Sequence, residues 1–170
     1  MSFYELAKNR FSVRKFKNEH LSQEKINRIL EYGNLAPTGC NFQPQKIYVL
    51  NTDSAIENLK PCTKCHFDAP CAMLVCYDKN QCWTRKYDGN QSGIIDASIV
   101  CTHLMLGAWE ENIGSCWVMH FDPFKIREAF SIPENIEPVA LLVMGEPDET
   151  ATPLDLHEKC KPLDKTVEYL

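Results

Sequence analysis

The chain has 170 residues and a mass of 19.5 kDa, enough for one domain over residues 1–170 and short for two. Its 44% apolar and 10% aromatic residues can fill a real core, which excludes wholesale disorder. A net charge of −5 and a pI near 5.5 argue against a nucleic-acid binder, which would carry a basic face. The longest apolar run, Val139 to Met144, is strand-sized, far below the roughly 20 residues of a membrane span.

The stretch Met1 to Arg10 is amphipathic and charged and lacks the apolar centre of a signal peptide. Residues Phe3 to Ala7 read as a short helix. A clearer one runs from the N-cap Ser22 to about Tyr32, with Glu24 in its first turn, Ile26, Ile29 and Leu30 as its stripe, and Gly33 as its stop. Lys46 to Leu50 reads as a strand, Ser54 to Leu59 as a short helix, and Ala72 to Tyr77 as a buried strand. The longest helical signal spans Gly93 to Asn112. Ile94, Ala97, Val100, Cys101, Leu104, Met105 and Ala108 make its apolar face so wide that it should be the central, heavily buried helix. Asp122-Pro123 then opens a helix over Phe124 to Phe130. Val139 to Gly145, the most hydrophobic strand, should be central in its sheet. After Pro147 the chain turns polar and is broken at Pro153 and Pro162. That tail either frays or packs across another surface, such as a second subunit.

Several chemistries are absent. The seven glycines form neither GxGxxG nor a GxxxxGK phosphate loop, the five histidines give no HExxH, and no GxSxG elbow exists. The nine cysteines include a CxxC at Cys62 and Cys65, followed by His66, Cys71, Cys76 and Cys82. Zinc or an iron–sulfur cluster uses such thiolates. Yet a second CxxC is missing and Cys76 falls inside a buried strand. Plain thiols are the expectation, with Cys62 and Cys65 behaving as ordinary surface positions in a reducing cytoplasm.

Two clusters remain. In Arg10-Phe11-Ser12-Val13-Arg14 an extended backbone puts Arg10, Ser12 and Arg14 on one side. Two guanidiniums flanking a hydroxyl make a phosphate cradle, since arginine offers planar, bidentate donors; the same pattern also fits a solvated basic edge strand. In Ala36-Pro37-Thr38-Gly39-Cys40-Asn41-Phe42-Gln43-Pro44, Pro and Gly fix an irregular backbone while Thr38, Asn41 and Gln43 supply donors and acceptors. Such a loop suits the edge of a planar heterocycle, and equally an ordinary helix-to-strand connection.

Together these two motifs resemble the nitroreductase family of FMN-dependent oxidoreductases. Further matches follow in order: Asp68-Ala69-Pro70 before a strand, Asp96 at the start of the long helix, and Gly114-Ser115-Cys116-Trp117 at its end. Ile132-Pro133-Glu134, Pro138-Val139, Gly145-Glu146-Pro147 and Lys161-Pro162-Leu163 complete the set. Phe11 and Cys160 stand where many members carry a basic residue.

The resemblance implies an α+β fold: a mixed, largely antiparallel sheet flanked by helices around the central buried one. It implies a homodimer with two FMN sites at the interface and residues 148–170 as an arm on the partner subunit. By position, Arg10, Ser12 and Arg14 would hold the phosphate and ribityl end, joined from the tail by Lys159 and Lys161. Pro37, Thr38, Gly39, Asn41 and Gln43 would reach the flavin, partly from the other subunit, and Trp117, Val118 and Met119 would lie beside the ring. Chemistry would then run on the flavin, with no catalytic side chain: NAD(P)H reduces it, leaves, and a nitroaromatic, quinone or similar acceptor follows. A flavin-binding redox sensor, or a cysteine-based metal or redox module, is the alternative.

Overall fold

Strand β2 (Cys71–Asp78) organises the molecule because both of its faces are covered. The computed structural model describes residues 2–170; Met1, where the amphipathic N-terminal stretch begins, lies outside the described residues. Four strands, β1 (Gln45–Leu50), β2, β3 (Gly114–Val118) and β4 (Ile136–Gly145), form one sheet in the order β1-β2-β4-β3. All three pairings are antiparallel. The single parallel element is an isolated bridge between Ser12 and Ser115 beyond the β3 edge.

Period-2 alternation sorts the β2 side chains between two cores. Cys71, Met73, Val75 and Tyr77 face one cluster with helices α2 (Gln23–Asn34) and α4 (Gly93–Glu110). Ala72, Leu74 and Cys76 face the other, with Ile56 and Leu59 of α3 (Asp53–Leu59) and Ile126 of α5 (Pro123–Ala129). The result is helix, sheet, helix, with β2 and β4 enclosed as their unbroken hydrophobicity requires.

Local sequence sets the helix ends. Ser2 and Glu5 form a capping box on α1 (Phe3–Asn9), and the Ser22 hydroxyl accepts from Lys25 N at the start of α2. Asp122 caps α5, with Pro123 in its first turn. Two boundaries differ from the sequence reading. Gly33 is not a stop: it lies inside α2, buried, and a Cβ there would sit 2.6 Å from Leu104 Cδ2. Gly107 of α4 meets Tyr32 in the same way, at 2.4 Å. The two glycines let α2 and α4 approach closely, and adding a methyl would overpack the contact at a cost of about 1–3 kcal/mol.

The second difference is at the end of α4. Asn112 takes the left-handed conformation (φ 59°), Ile113 N donates back to Ala108 O and Asn112 N to Trp109 O. That pair of bonds is a Schellman stop with asparagine in the glycine position. The chain leaves the helix there, so Gly114 to Val118 becomes a strand rather than the helix ending expected from its motif.

Nearly all of residues 152–170 are exposed. None of the helices is long and apolar enough to cross a membrane, among the described residues.

Candidate functional site

Residues Arg10 to Arg14 run extended along the β3 edge. Val13 N donates to Ser115 O at 3.0 Å and the Val13 side chain is fully buried. With Val13 as the anchor, period-2 geometry turns Ser12 and Arg14 the other way. A cavity of about 270 Å³ opens there, lined by Arg10, Phe11, Ser12 and Arg14 and, from the C-terminal segment, by Leu154, Leu156 and His157. Phe11 does not leave the cavity. Its ring packs edge-on against Trp109 at 5.3 Å and against His157 at 6.3 Å.

Charge makes this cavity distinctive. The chain has five arginines. Arg28 pairs with Glu111, Arg85 with Asp88 and Arg127 with Glu137. Arg10 and Arg14, the two in the cavity, pair with no carboxylate among the described residues. Arg14 donates to Ser12 O at 3.0 Å and lies 5.9 Å from the Phe67 ring centre. Burial pushes the Arg10 guanidinium down from its ordinary value, the nearby Cys116 thiol acting in the opposite direction. Arginine does not deprotonate in proteins, so the partial desolvation stays as a cost that an incoming anion would offset. Cys116, buried behind the cradle, is pushed up by burial and drawn back by Arg14 and by the Ser12 hydroxyl.

The second cluster is built by backbone strain. Pro37 ends the turn after α2, and Gly39–Asn41 make a single 3-10 turn. Cys40, Asn41 and Gln43 all take positive φ (47°, 57° and 50°), a conformation costing on the order of 1 kcal/mol or more each outside glycine. Polar bonds hold it: Gln43 N donates to the Thr38 hydroxyl, and Gln43 Nε2 to Asn41 Oδ1, both at 3.0 Å. Asp96, only 2% exposed, reaches from the first turn of α4 to accept from Gly39 N at 2.8 Å and from the Ser92 hydroxyl at 2.6 Å. The Asn41 and Gln43 side chains themselves are exposed.

These two clusters do not meet within one chain. The loop is tied to the N-terminal turn of α4 through Asp96, whereas Phe11 packs on Trp109 in its last turn. At 1.5 Å per residue the two anchors are about 20 Å apart along the helix. They also flank opposite edges of the sheet, the loop leading into β1 and the arginines lying along β3.

Trp117 and Val118 end β3; Trp117 is half-buried and packs on the α2–α4 core, Val118 is buried on the other face, and Met119 just beyond is exposed. Lys159 and Lys161 are exposed and do not line the cavity. The tail residue that does reach it with a polar group is His157, which the sequence reading passed over. Its one sequence signal is its place in the tail, beside the basic residues expected to contact phosphate.

The cysteines sit apart from any metal geometry. All nine are free thiols, and among the described residues no three His, Cys, Asp or Glu side chains converge as ligands would. Cys62 is not a surface position: it is 4% exposed in the core under α3 and α5, its thiol directed at Asn58 O. Burial pushes Cys71, Cys76 and Cys101 up to about 12, so they stay protonated and inert.

The nitroreductase family model matches residues 7–70 and 61–146. A Methanothermobacter thermautotrophicus protein, named provisionally as an NADH dehydrogenase/NAD(P)H nitroreductase, is 28% identical over 166 residues, covering 93% of this chain and 84% of its own. A Staphylococcus aureus NADPH-dependent oxidoreductase is 24% identical, covering 86% of this chain, which spans 65% of that longer protein. Among solved structures, a nitroreductase family protein from Clostridium difficile 630 superposes with a TM-score of 0.93 at 42% identity, over 99% of this chain and 98% of that one. An FMN-dependent nitroreductase from Clostridium difficile R20291 follows at 0.75 and 26%, over 94% and 98%. The family-model match and the superposition at 42% identity agree: the chain belongs to the nitroreductase family.

Proposed function

We propose that the protein is an FMN-dependent oxidoreductase that passes electrons from NAD(P)H to a small acceptor such as a nitroaromatic or quinone. The observation that carries this reading is the pair of carboxylate-free arginines facing one cavity. Two cations without carboxylate partners in an acidic protein, Arg10 half-buried and Arg14 exposed, are matched to an anion, and a phosphomonoester beside Ser12 satisfies both forks. The NAD(P)H and FMN named for relatives of this chain supply the rest of the chemistry.

The residues present fit the cofactor in two halves. Arg10, Ser12 and Arg14 would hold the phosphate. Pro37, Thr38, Gly39, Asn41 and Gln43 would meet the edge of the ring, the strained backbone pre-organising the exposed amides. Trp117, Val118 and Met119 offer apolar surface that would exclude water beside it. When bound, FMN supplies the hydride chemistry, and the protein supplies position and electrostatics. No acid, base or nucleophile is needed from this chain; nicotinamide and acceptor would use the same surface in turn.

The separation of the halves supports a homodimer. With the cradle and the loop at opposite ends of α4, the cradle of one chain would face the loop of another, giving two sites per dimer. Apolar side chains support a covered interface: Ile94 and Ile95 on the outer face of α4 are 58% and 63% exposed, and Met119 69%. Residues 148–170, exposed except near the cradle, would serve as an arm over the partner. Nine unpaired thiols fit a reducing cytoplasm.

The test is direct. Protein incubated with FMN and desalted should be yellow and dimeric with about one FMN per chain. Anaerobic addition of NADH or NADPH should bleach it, and a quinone should restore the colour. A colourless monomer after the same incubation overturns the reading.

A further inference from the structure

From Thr152 to Leu170 every residue is exposed except His157, which is half-buried. That one sheltered side chain of the tail lies in the cavity that holds Arg10, Ser12 and Arg14. Its ring stands edge-on to Phe11, 6.3 Å between centres, and Phe11 is in turn fixed against Trp109 of α4. The His157 backbone is pinned as well, its N–H donating to Leu154 O at 2.8 Å. The tail thus meets the cavity through Leu154, Leu156 and His157, and its one sheltered side chain there is an imidazole sharing the cavity with two carboxylate-free guanidiniums.

We propose that His157 is a third donor of the phosphate cradle, so that a phosphomonoester is held more tightly when the imidazole is protonated. The proposal rests on reading this cavity as the FMN phosphate site. A neutral imidazole offers one N–H; the cation offers two and adds a charge-assisted bond. The charged groups around it are Arg10 and Arg14 from the N-terminal segment, with the Cys116 thiol of β3 behind them, while Trp109 of α4 is uncharged. Asp155 and Glu158 flank His157 on its own segment and are exposed; no carboxylate lines the cavity. A bound phosphate dianion favours the imidazolium. Binding of the phosphate and of the proton reinforce one another. Imidazole changes charge between about pH 5 and 8, so the coupling operates in the physiological range.

The experiment measures FMN dissociation from the holoprotein by recovery of flavin fluorescence on dilution, from pH 5.5 to 8.5. The proteins are wild type, His157→Gln, His157→Lys and the Arg10→Ala/Arg14→Ala variant, with riboflavin as the ligand that lacks phosphate. The phosphate of free FMN titrates near pH 6, identically whichever variant it meets, so the ratio between variants isolates His157. His157→Gln should bind FMN about 5- to 10-fold more weakly than wild type at the acid end and within about twofold at the alkaline end. His157→Lys should exceed His157→Gln at every pH, and riboflavin affinity should stay unchanged in both. A His157→Gln deficit that is constant across pH, or that riboflavin shares, overturns the proposal and makes His157 a packing residue. Undiminished FMN affinity in the arginine variant would overturn the phosphate assignment of the cavity itself.

Discussion

The two clusters that flank α4 are built by different means. At its C-terminal end the backbone is relaxed and extended, clipped to Ser115, and the distinguishing feature is charge: a half-buried Arg10 and an exposed Arg14, neither paired with a carboxylate among the described residues. At its N-terminal end the loop 36–44 carries no charged side chain and its backbone is strained, with three non-glycine residues at positive φ held by Thr38 and by the buried Asp96. A charged terminus calls for free cations; the edge of a flat ring calls for donors and acceptors fixed in advance. The helix that separates them is apolar nearly all round, although its outer face leaves Ile94 and Ile95 exposed. Under the proposed function each chain would carry two unlike half-sites, held at opposite ends of one helix.

Variants should separate the halves by ligand. Replacing both Arg10 and Arg14 by alanine removes two charge-assisted contacts, about 3–6 kcal/mol together, so FMN affinity should fall roughly 10²- to 10⁴-fold. Riboflavin, titrated in parallel, should bind that variant as it binds wild type. The loop should behave oppositely: Asn41→Ala/Gln43→Ala should weaken FMN and riboflavin by the same factor, on the order of 5- to 50-fold for two neutral hydrogen bonds. If the arginine variant loses both ligands equally, the contrast between a charge-reading and an edge-reading end is wrong.

The CxxC pair, Cys62 buried and Cys65 half-buried, tests whether the cysteines belong to either half. Cys62→Ser/Cys65→Ser should lose about 1–2 kcal/mol of stability in urea unfolding, because Cys62 lies in the core. Its FMN affinity should match wild type, and a parallel loss of FMN and bound metal would assign these thiols a working role. The smallest expected effect concerns His20, whose ring lies 2.8 Å from Pro70 O through Nδ1 and 2.9 Å from Asp53 Oδ1 through Nε2. Two acceptors require two N–H groups, and the Asp53 hydrogen bond, then the Pro70 carbonyl, raise its pKa. A raised pKa stabilises the fold below the ordinary imidazole range and is lost as pH rises through the folded value. The pair is exposed, so the melting temperature should drop only about 1–2 °C from pH 5.5 to 8.5, less in His20→Gln. This clasp is remote from both half-sites, and FMN affinity should not follow it.

Much of this was legible in the residues. Strong periodicity located α2, α4, β2 and β4, and the wide apolar face of α4 foretold its burial. Arg10, Ser12 and Arg14 declared themselves because alternation in an extended segment fixes which side chains share a face. What stayed hidden was tertiary. Asn112 ends α4 in a conformation usually left to glycine, so the short strand β3 read as the end of a helix. Gly33 looked like a stop signal because nothing local reveals that Leu104 presses on it from another helix. Cys62 looked exposed in a polar stretch until α5 covered it. His157 stands among charged tail residues with nothing in its neighbours to single it out. The separation of cradle and loop is a matter of three-dimensional placement that no motif carries.

The central claim, that each site is completed by two chains, has a direct test by complementation. Arg10→Ala/Arg14→Ala and Asn41→Ala/Gln43→Ala proteins, each weak in FMN binding alone, are unfolded together, refolded as a 1:1 mixture and titrated with FMN. Random pairing makes half of the dimers mixed, and each mixed dimer regains one intact site, so tight binding should return at about one FMN per four chains. If cradle and loop of the same chain formed the site, every site in the mixture would carry a lesion, and no tight binding would appear at any mixing ratio.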